Sequence, residues 1–179
     1  MSTLKVNSII PSGGFPSGAN GGIIQCVFQE NNTIQSFSFS SSSFSPQTIC
    51  SATITPSSNS NKILAYCSAG VFVSGQTGPH YEHSLFLKRG STLIGGNTQS
   101  GYFPGTNVLF SGINAPECGA TGNFFYLDSP ATTSATTYNL CLQGGESATY
   151  GVCRSQYSSS SSQFTNTSGV SMTLLEVTA

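Results

Sequence analysis

The stretch Lys62-Ile-Leu-Ala-Tyr-Cys-Ser-Ala-Gly-Val-Phe-Val73 decides the fold class. Apolar side chains occupy both alternating faces of this run, as expected of a central strand in a packed β-sandwich. The turn-forming segment Thr55-Pro-Ser-Ser-Asn-Ser-Asn61 precedes it, so the strand starts abruptly at Lys62. Upstream, Gln47–Ile54 reads as another strand, and Ile23–Gln29 with Ile34–Ser42 forms an expected first pair around Glu30-Asn-Asn-Thr33. Downstream, His83–Lys88 turns at Arg89-Gly90-Ser91 into Thr92–Ile94, with Gly90 supplying the backbone freedom of a tight hairpin. Further strands are predicted at Asn107–Ile113, Ala120–Leu127, Thr136–Gln143, Thr149–Arg154 and Val170–Val177. About ten short strands at this spacing, with no helical period of useful length, predict an all-β, antiparallel, jelly-roll-like sandwich.

The alternation in Thr137-Tyr-Asn-Leu-Cys-Leu-Gln143 assigns Tyr138, Leu140 and Leu142 to the core. Asn139, Cys141 and Gln143 share the other face, expected to meet solvent or a neighbouring subunit. The serine runs Ser40–Ser43 and Ser158–Ser162 are brief and read as exposed turns or edges.

The head domain is expected over residues 23–179, preceded by an arm over residues 1–22. The arm has an apolar patch, Leu4, Val6, Ile9 and Ile10, followed by Pro11-Ser-Gly-Gly-Phe-Pro-Ser-Gly-Ala-Asn-Gly-Gly22. That density of Pro and Gly opposes helix and ladder alike, giving a pliant stem behind a hydrophobic docking tip. A disordered terminus is the competing reading. At 179 residues the chain is long enough for one domain that hides roughly 70% of its unfolded surface.

Charged residues make up 6% of the chain against roughly 25% in ordinary domains, so hydroxyls, amides and glycine must carry solubility. A net charge of -1 supplies no basic field, which disfavours nucleic acid as a partner. No segment is apolar for long enough to insert in a membrane, and the first residues do not read as a secretory signal.

Six cysteines (Cys26, Cys50, Cys67, Cys118, Cys141 and Cys153) stand singly, with no CxxC or Cys/His cluster, so neither a metal nor another cofactor is expected. They read first as buried thiols acting as small hydrophobes. A disulfide between adjacent strands, Cys141 with Cys153, is the alternative.

Candidate chemistry is sparse. On a strand, His80 and Glu82 share a face while His83 points away, a poor geometry for one metal. Glu82, Glu117, Asp128 and Glu146 fall at turns or strand ends, where solvated acids are ordinary, and no phosphate loop or nucleophile elbow occurs. The sequons Asn31-Asn-Thr33 and Asn166-Thr-Ser168 read as chance. The loop carrying Tyr102 and Phe103 amid Gly, Asn and Pro suits sugar stacking or protein contact, unless its rings fold back on the core.

Four segments in fixed order, Ile54-Thr-Pro-Ser-Ser-Asn-Ser-Asn-Lys-Ile-Leu64, Phe86-Leu-Lys-Arg-Gly-Ser-Thr-Leu-Ile94, Asp128-Ser-Pro through Tyr138-Asn-Leu140, and Leu174-Leu-Glu-Val177, carry a resemblance. Together with the opening Ser2-Thr-Leu-Lys-Val-Asn-Ser-Ile9 and Gly22-Ile-Ile-Gln25, they resemble a β-rich virion appendage module of tailed bacteriophages, tail-fibre-like or head-decorating, of marine and cyanobacterial phages. The resemblance implies a non-enzymatic homotrimer in the virion. The arm would anchor it to capsid or tail proteins, and the head would stabilise the particle or meet a host-surface glycan or protein. The six cysteines and the lack of a long shaft depart from that pattern. A lectin-like or glycan-degrading jelly roll is the alternative, and a self-contained soluble β protein with a disordered tail is a third reading.

Overall fold

The computed structural model describes residues 22–40, 44–74, 80–95, 106–111, 117–145, 147–153 and 169–178. Within them the elements are all strands: β1 (Ile23–Asn31), β2 (Gln35–Ser38), β3 (Gln47–Ile54), β4 (Lys62–Ser74), β5 (His80–Arg89), β6 (Thr92–Gly95), β7 (Thr106–Ser111), β8 (Glu117–Asp128), β9 (Thr136–Gly144), β10 (Thr149–Val152) and β11 (Val170–Val177).

As its sequence predicts, β4 is the central strand of a six-stranded sheet. Along one side it pairs with β8 from Ile63↔Asp128 to Ser74↔Glu117. Along the other it meets β11 over Lys62–Ala69 and then β10 over Val71–Ser74. Beyond these lie β1, paired with β11, and β2, paired with β10. The expected pairing of the first two strands with each other does not form. Each takes a partner from the far end of the chain instead, because β10 and β11 already flank β4 and offer free ladders there.

The second sheet has five strands in the order β3-β9-β5-β6, with β7 also on β5. All pairings are antiparallel. The chain crosses between sheets from β2 to β3, β3 to β4, β4 to β5, β7 to β8, β8 to β9 and β9 to β10, which makes the molecule an antiparallel β-sandwich. Gly90 adopts φ +57° at the β5–β6 turn, a conformation that a Cβ resists.

The core lies between the sheets. Inward residues of β4 are Ile63, Ala65, Cys67, Ala69, Val71 and Val73, and those of β11 are Val170, Met172 and Leu174. The opposite sheet contributes Ile49, Ile54, Leu85, Leu87, Tyr138, Leu140 and Leu142. Small side chains on β4 (Ala65, Cys67, Ala69) and large ones on β9 (Tyr138, Leu140, Leu142) share this one core, a mixture of sizes that suits close packing.

One face differs from expectation. The second face of β9 is not solvated: Cys141 and Gln143 are buried. Phe44 stacks on Phe86 with centroids 5.8 Å apart, and the Ser45 N–H donates to Gln143 Oε1 at 2.8 Å. The segment before β3 therefore roofs this side. On β4 the opposite occurs. One of its two apolar faces is left open: Tyr66 is exposed and Leu64 only half-buried.

Candidate functional site

Leu4, Val6, Ile9, Ile10, Tyr102, Phe103 and Glu146 lie outside the described residues, as do the side chains of His80, Glu82 and Glu117. His83 is described. It follows the inward parity of Leu85 and Leu87 on β5 and is fully buried, and burial pushes its imidazole down from 6.5 to about 4. Among the described residues no group of three metal-ligating side chains gathers.

The candidate disulfide does not form: Cys141 and Cys153 are free thiols. Though close in sequence, Cys141 sits on β9 in one sheet, and Cys153 follows β10 in the other. Cys141 lies 3.7 Å from Thr48 Oγ1, while the Cys153 Sγ–H donates to the Asn31 carbonyl at 2.9 Å. Burial raises the thiols of Cys50, Cys141 and Cys153 and pushes Cys67 up to about 12, so none is primed as a nucleophile.

Two carboxylates are buried where the sequence suggested solvated acids or none. Asp128, at the end of β8, accepts from Arg89 Nη1 at 2.8 and 3.0 Å and from the Tyr138 hydroxyl at 2.7 Å. Arg89 and Tyr138 are paired across β5 and β9, so the cluster ties one sheet to the other. Burial, then the bond to Asp128, raises the Tyr138 phenol. It stays protonated as a donor, and the carboxylate is engaged on both oxygens. Glu176 Oε1 accepts from the Ser57 N–H and hydroxyl, both at 2.7 Å, and from Asn61 Nδ2 at 2.6 Å. Burial by itself raises the Glu176 carboxyl, but the Asn61 and Ser57 donors outweigh it and hold it below 4.5. These are clamps on turns and layers, with no paired acid and base.

A cleft of about 280 Å³ opens where β1 meets β3. Its polar groups largely engage one another. Asn31 Nδ2 donates to the Ile49 carbonyl at 2.8 Å and to Gln35 Oε1 at 3.1 Å, which joins the sheets at that edge.

The feature without a structural explanation is the outer face of the six-stranded sheet. Register aligns Phe28, Thr173, Tyr66 and Phe125 in one row across β1, β11, β4 and β8. The adjacent row is Cys26, Leu175, Leu64 and Leu127. Phe125 is 75% exposed, Phe28 60%, Leu127 49% and Tyr66 47%. At on the order of 200 Å² per aromatic side chain, the three rings alone leave about 360 Å² of apolar surface on one face. The largest apolar patch on a soluble monomer is typically about 300–600 Å² and is often functional. The neighbouring row on one side, Glu30, Ser171, Ser68 and Asn123, is polar and gives the apolar band a hydrophilic border there, while on the other side Ile23 and Val177 lie in row with Lys62. The two apolar faces of β4 predict its central position, which it has, and do not by themselves say which face the second sheet covers. The signal that separates them is that β1 and β8 carry large apolar residues on the same outward parity, which needs the register to see. In comparisons with known proteins, the chain matches no protein family and no curated protein.

Proposed function

We propose that this chain is a non-enzymatic structural protein of a virus particle: a surface-exposed homotrimeric appendage, anchored by its amino-terminal arm and displaying the β-sandwich. The observation that carries the reading is the bordered apolar band of Phe28, Tyr66, Phe125 and Leu127, a surface suited to assembly rather than chemistry. Two further facts support it. The buried carboxylates Asp128 and Glu176 are engaged by Arg89, Tyr138, Ser57 and Asn61, and burial raises the thiols of Cys50, Cys67, Cys141 and Cys153, so these buried groups serve the fold. The low charge of the chain, 6%, suits surfaces that meet other subunits.

In this reading Leu4, Val6, Ile9 and Ile10 dock onto a capsid or tail protein, and the loop with Tyr102 and Phe103 faces outward toward a host glycan or protein. The resemblance of the ordered segments to phage appendage modules supports the virion setting. Image reconstruction of intact particles tests it. Density for this head on the capsid gives a decoration protein, density at the tail gives a fibre, and its absence from particles overturns the proposal.

A further inference from the structure

We infer that β8 is the edge through which two copies of this chain pair, strand against antiparallel strand about a two-fold axis at Asn123, so that their six-stranded sheets run on as one. The two edges of that sheet are built differently. Edge strands carry free N–H and C=O groups that template pairing with another chain, and soluble proteins guard them with bulges, charges, proline or cover. β1 is guarded. Its register slips between Ile23 and Gln25, and it carries Glu30. Asn31 Nδ2 and Gln25 Nε2 also donate across to the carbonyls of Ile49 and Thr55, at 2.8 and 3.5 Å, which holds this edge against the other sheet.

β8 has none of these guards. It runs for 12 residues, pairs evenly with β4 without a bulge, contains no proline or lysine, and has no ladder on its far side among the described residues. No charge occurs from residue 119 to residue 127, and Asp128 just beyond is taken up by Arg89 at 2.8 Å.

That the incoming strand is β8 of a second copy follows from the strand's own sequence. Residues 119–122 are Gly-Ala-Thr-Gly and residues 124–127 are Phe-Phe-Tyr-Leu, so β8 is small on one side of Asn123 and large on the other. Pairing about Asn123 sets Phe124 opposite Gly122, Phe125 opposite Thr121, Tyr126 opposite Ala120 and Leu127 opposite Gly119, once on each side of the axis. Each bulky side chain thereby covers a position with little or nothing of its own, the cross-strand arrangement that rescues glycine in a sheet. A two-fold axis through the sheet keeps outward residues beside outward ones, so the register can slip only in steps of two. One such slip sets Phe124 against Phe124, and the opposite slip sets Leu127 against Glu117. No like charges meet at the axis or beside it. A foreign strand would require no such match between the two halves of β8 itself.

The test is cross-linking by position in the full chain. Directly opposite Cα atoms on antiparallel strands lie about 4.5–5.5 Å apart, within reach of a disulfide. Asn123→Cys, oxidised gently and run on a denaturing gel without reductant, should give at least about ten times the two-chain product of the wild type, whose exposed Cys26 sets the background. Thr121→Cys and Phe125→Cys should each remain single alone and cross-link when co-expressed, because the antiparallel register sets 121 against 125. Self-linking of both at the level of Asn123→Cys would mean parallel strands and overturns the proposal. An Asn123→Cys product no greater than the wild-type background does the same. Asn123 is exposed, so Asn123→Lys should keep the fold while setting like charges opposite each other. At micromolar concentration the wild type should then sediment at no less than about twice the mass of Asn123→Lys. Equal masses overturn the β8 pair and spare the trimeric reading, on which it does not rest.

Discussion

Acid should loosen this sandwich through one side chain, His83. In the folded chain its imidazole is fully buried and titrates near 4, whereas in the unfolded chain it titrates near its ordinary 6.5. Between those values the unfolded state binds the proton and the folded state does not, so stability rises with pH across that window. The contribution of a neutral His83 is whole above pH 6.5 and is lost as the pH falls toward 4. At about 1.4 kcal/mol per pH unit the full window is worth about 3 kcal/mol, of which about 2 are gone by pH 5. The assay is urea unfolding at pH 7.5 and at pH 5, at one fixed protein concentration so that any subunit association contributes equally. The wild type should lose about 2 kcal/mol between the two. His83→Gln should be less stable at pH 7.5 but nearly flat over the same interval, since glutamine does not titrate. Glu176 does not confuse the result, because its carboxyl is held below 4.5 and its contribution fades only under more acidic conditions. Equal slopes in wild type and His83→Gln would refute the argument.

Other consequences follow from the same packing. Tyr138→Phe removes the hydroxyl that donates to buried Asp128 at 2.7 Å and should cost about 1–3 kcal/mol in urea unfolding, with the fold retained. Gly144→Ala would set a Cβ 2.7 Å from Tyr150 Cζ and 2.8 Å from Phe39 Cδ2, two core rings, so it should cost about 1–3 kcal/mol through overpacking. Gly90→Ala meets nothing within 4 Å and should cost about 1 kcal/mol from its positive φ alone, separable by leaving near-ultraviolet signals of the core aromatics unchanged. Glu176→Ala leaves Ser57 and Asn61 without their shared acceptor, and limited proteolysis should then cut faster within residues 55–61.

Much of the sandwich is legible in local pattern. Gln47–Ile54 and Val170–Val177 form strands at their expected bounds, and Lys62–Ser74 takes the central place that its apolar run predicts. These succeed because side-chain alternation and turn residues act within a few positions of one another. Pairing was less accessible. Residues 23–31 and 35–38 look like a hairpin in sequence, yet their partners are Val170–Val177 and Thr149–Val152, chosen by which ladders around β4 stay open. The same limit explains the cysteines: nearness along the chain suggested a link between Cys141 and Cys153 that a crossing between sheets separates.

The candidate site shows the boundary most clearly. Composition alone established a low-charge, hydroxyl-rich β protein, and the parity of each strand is written in its own residues. Whether an apolar parity becomes core or surface is not, because Leu64 and Cys67 look alike to a pattern of alternation. Tertiary structure decided it by setting the second sheet against Cys67 and nothing among the described residues against Tyr66. Only register, a relation between strands far apart in sequence, then brought Phe28, Tyr66 and Phe125 into one row and made separate exposed rings into a continuous surface.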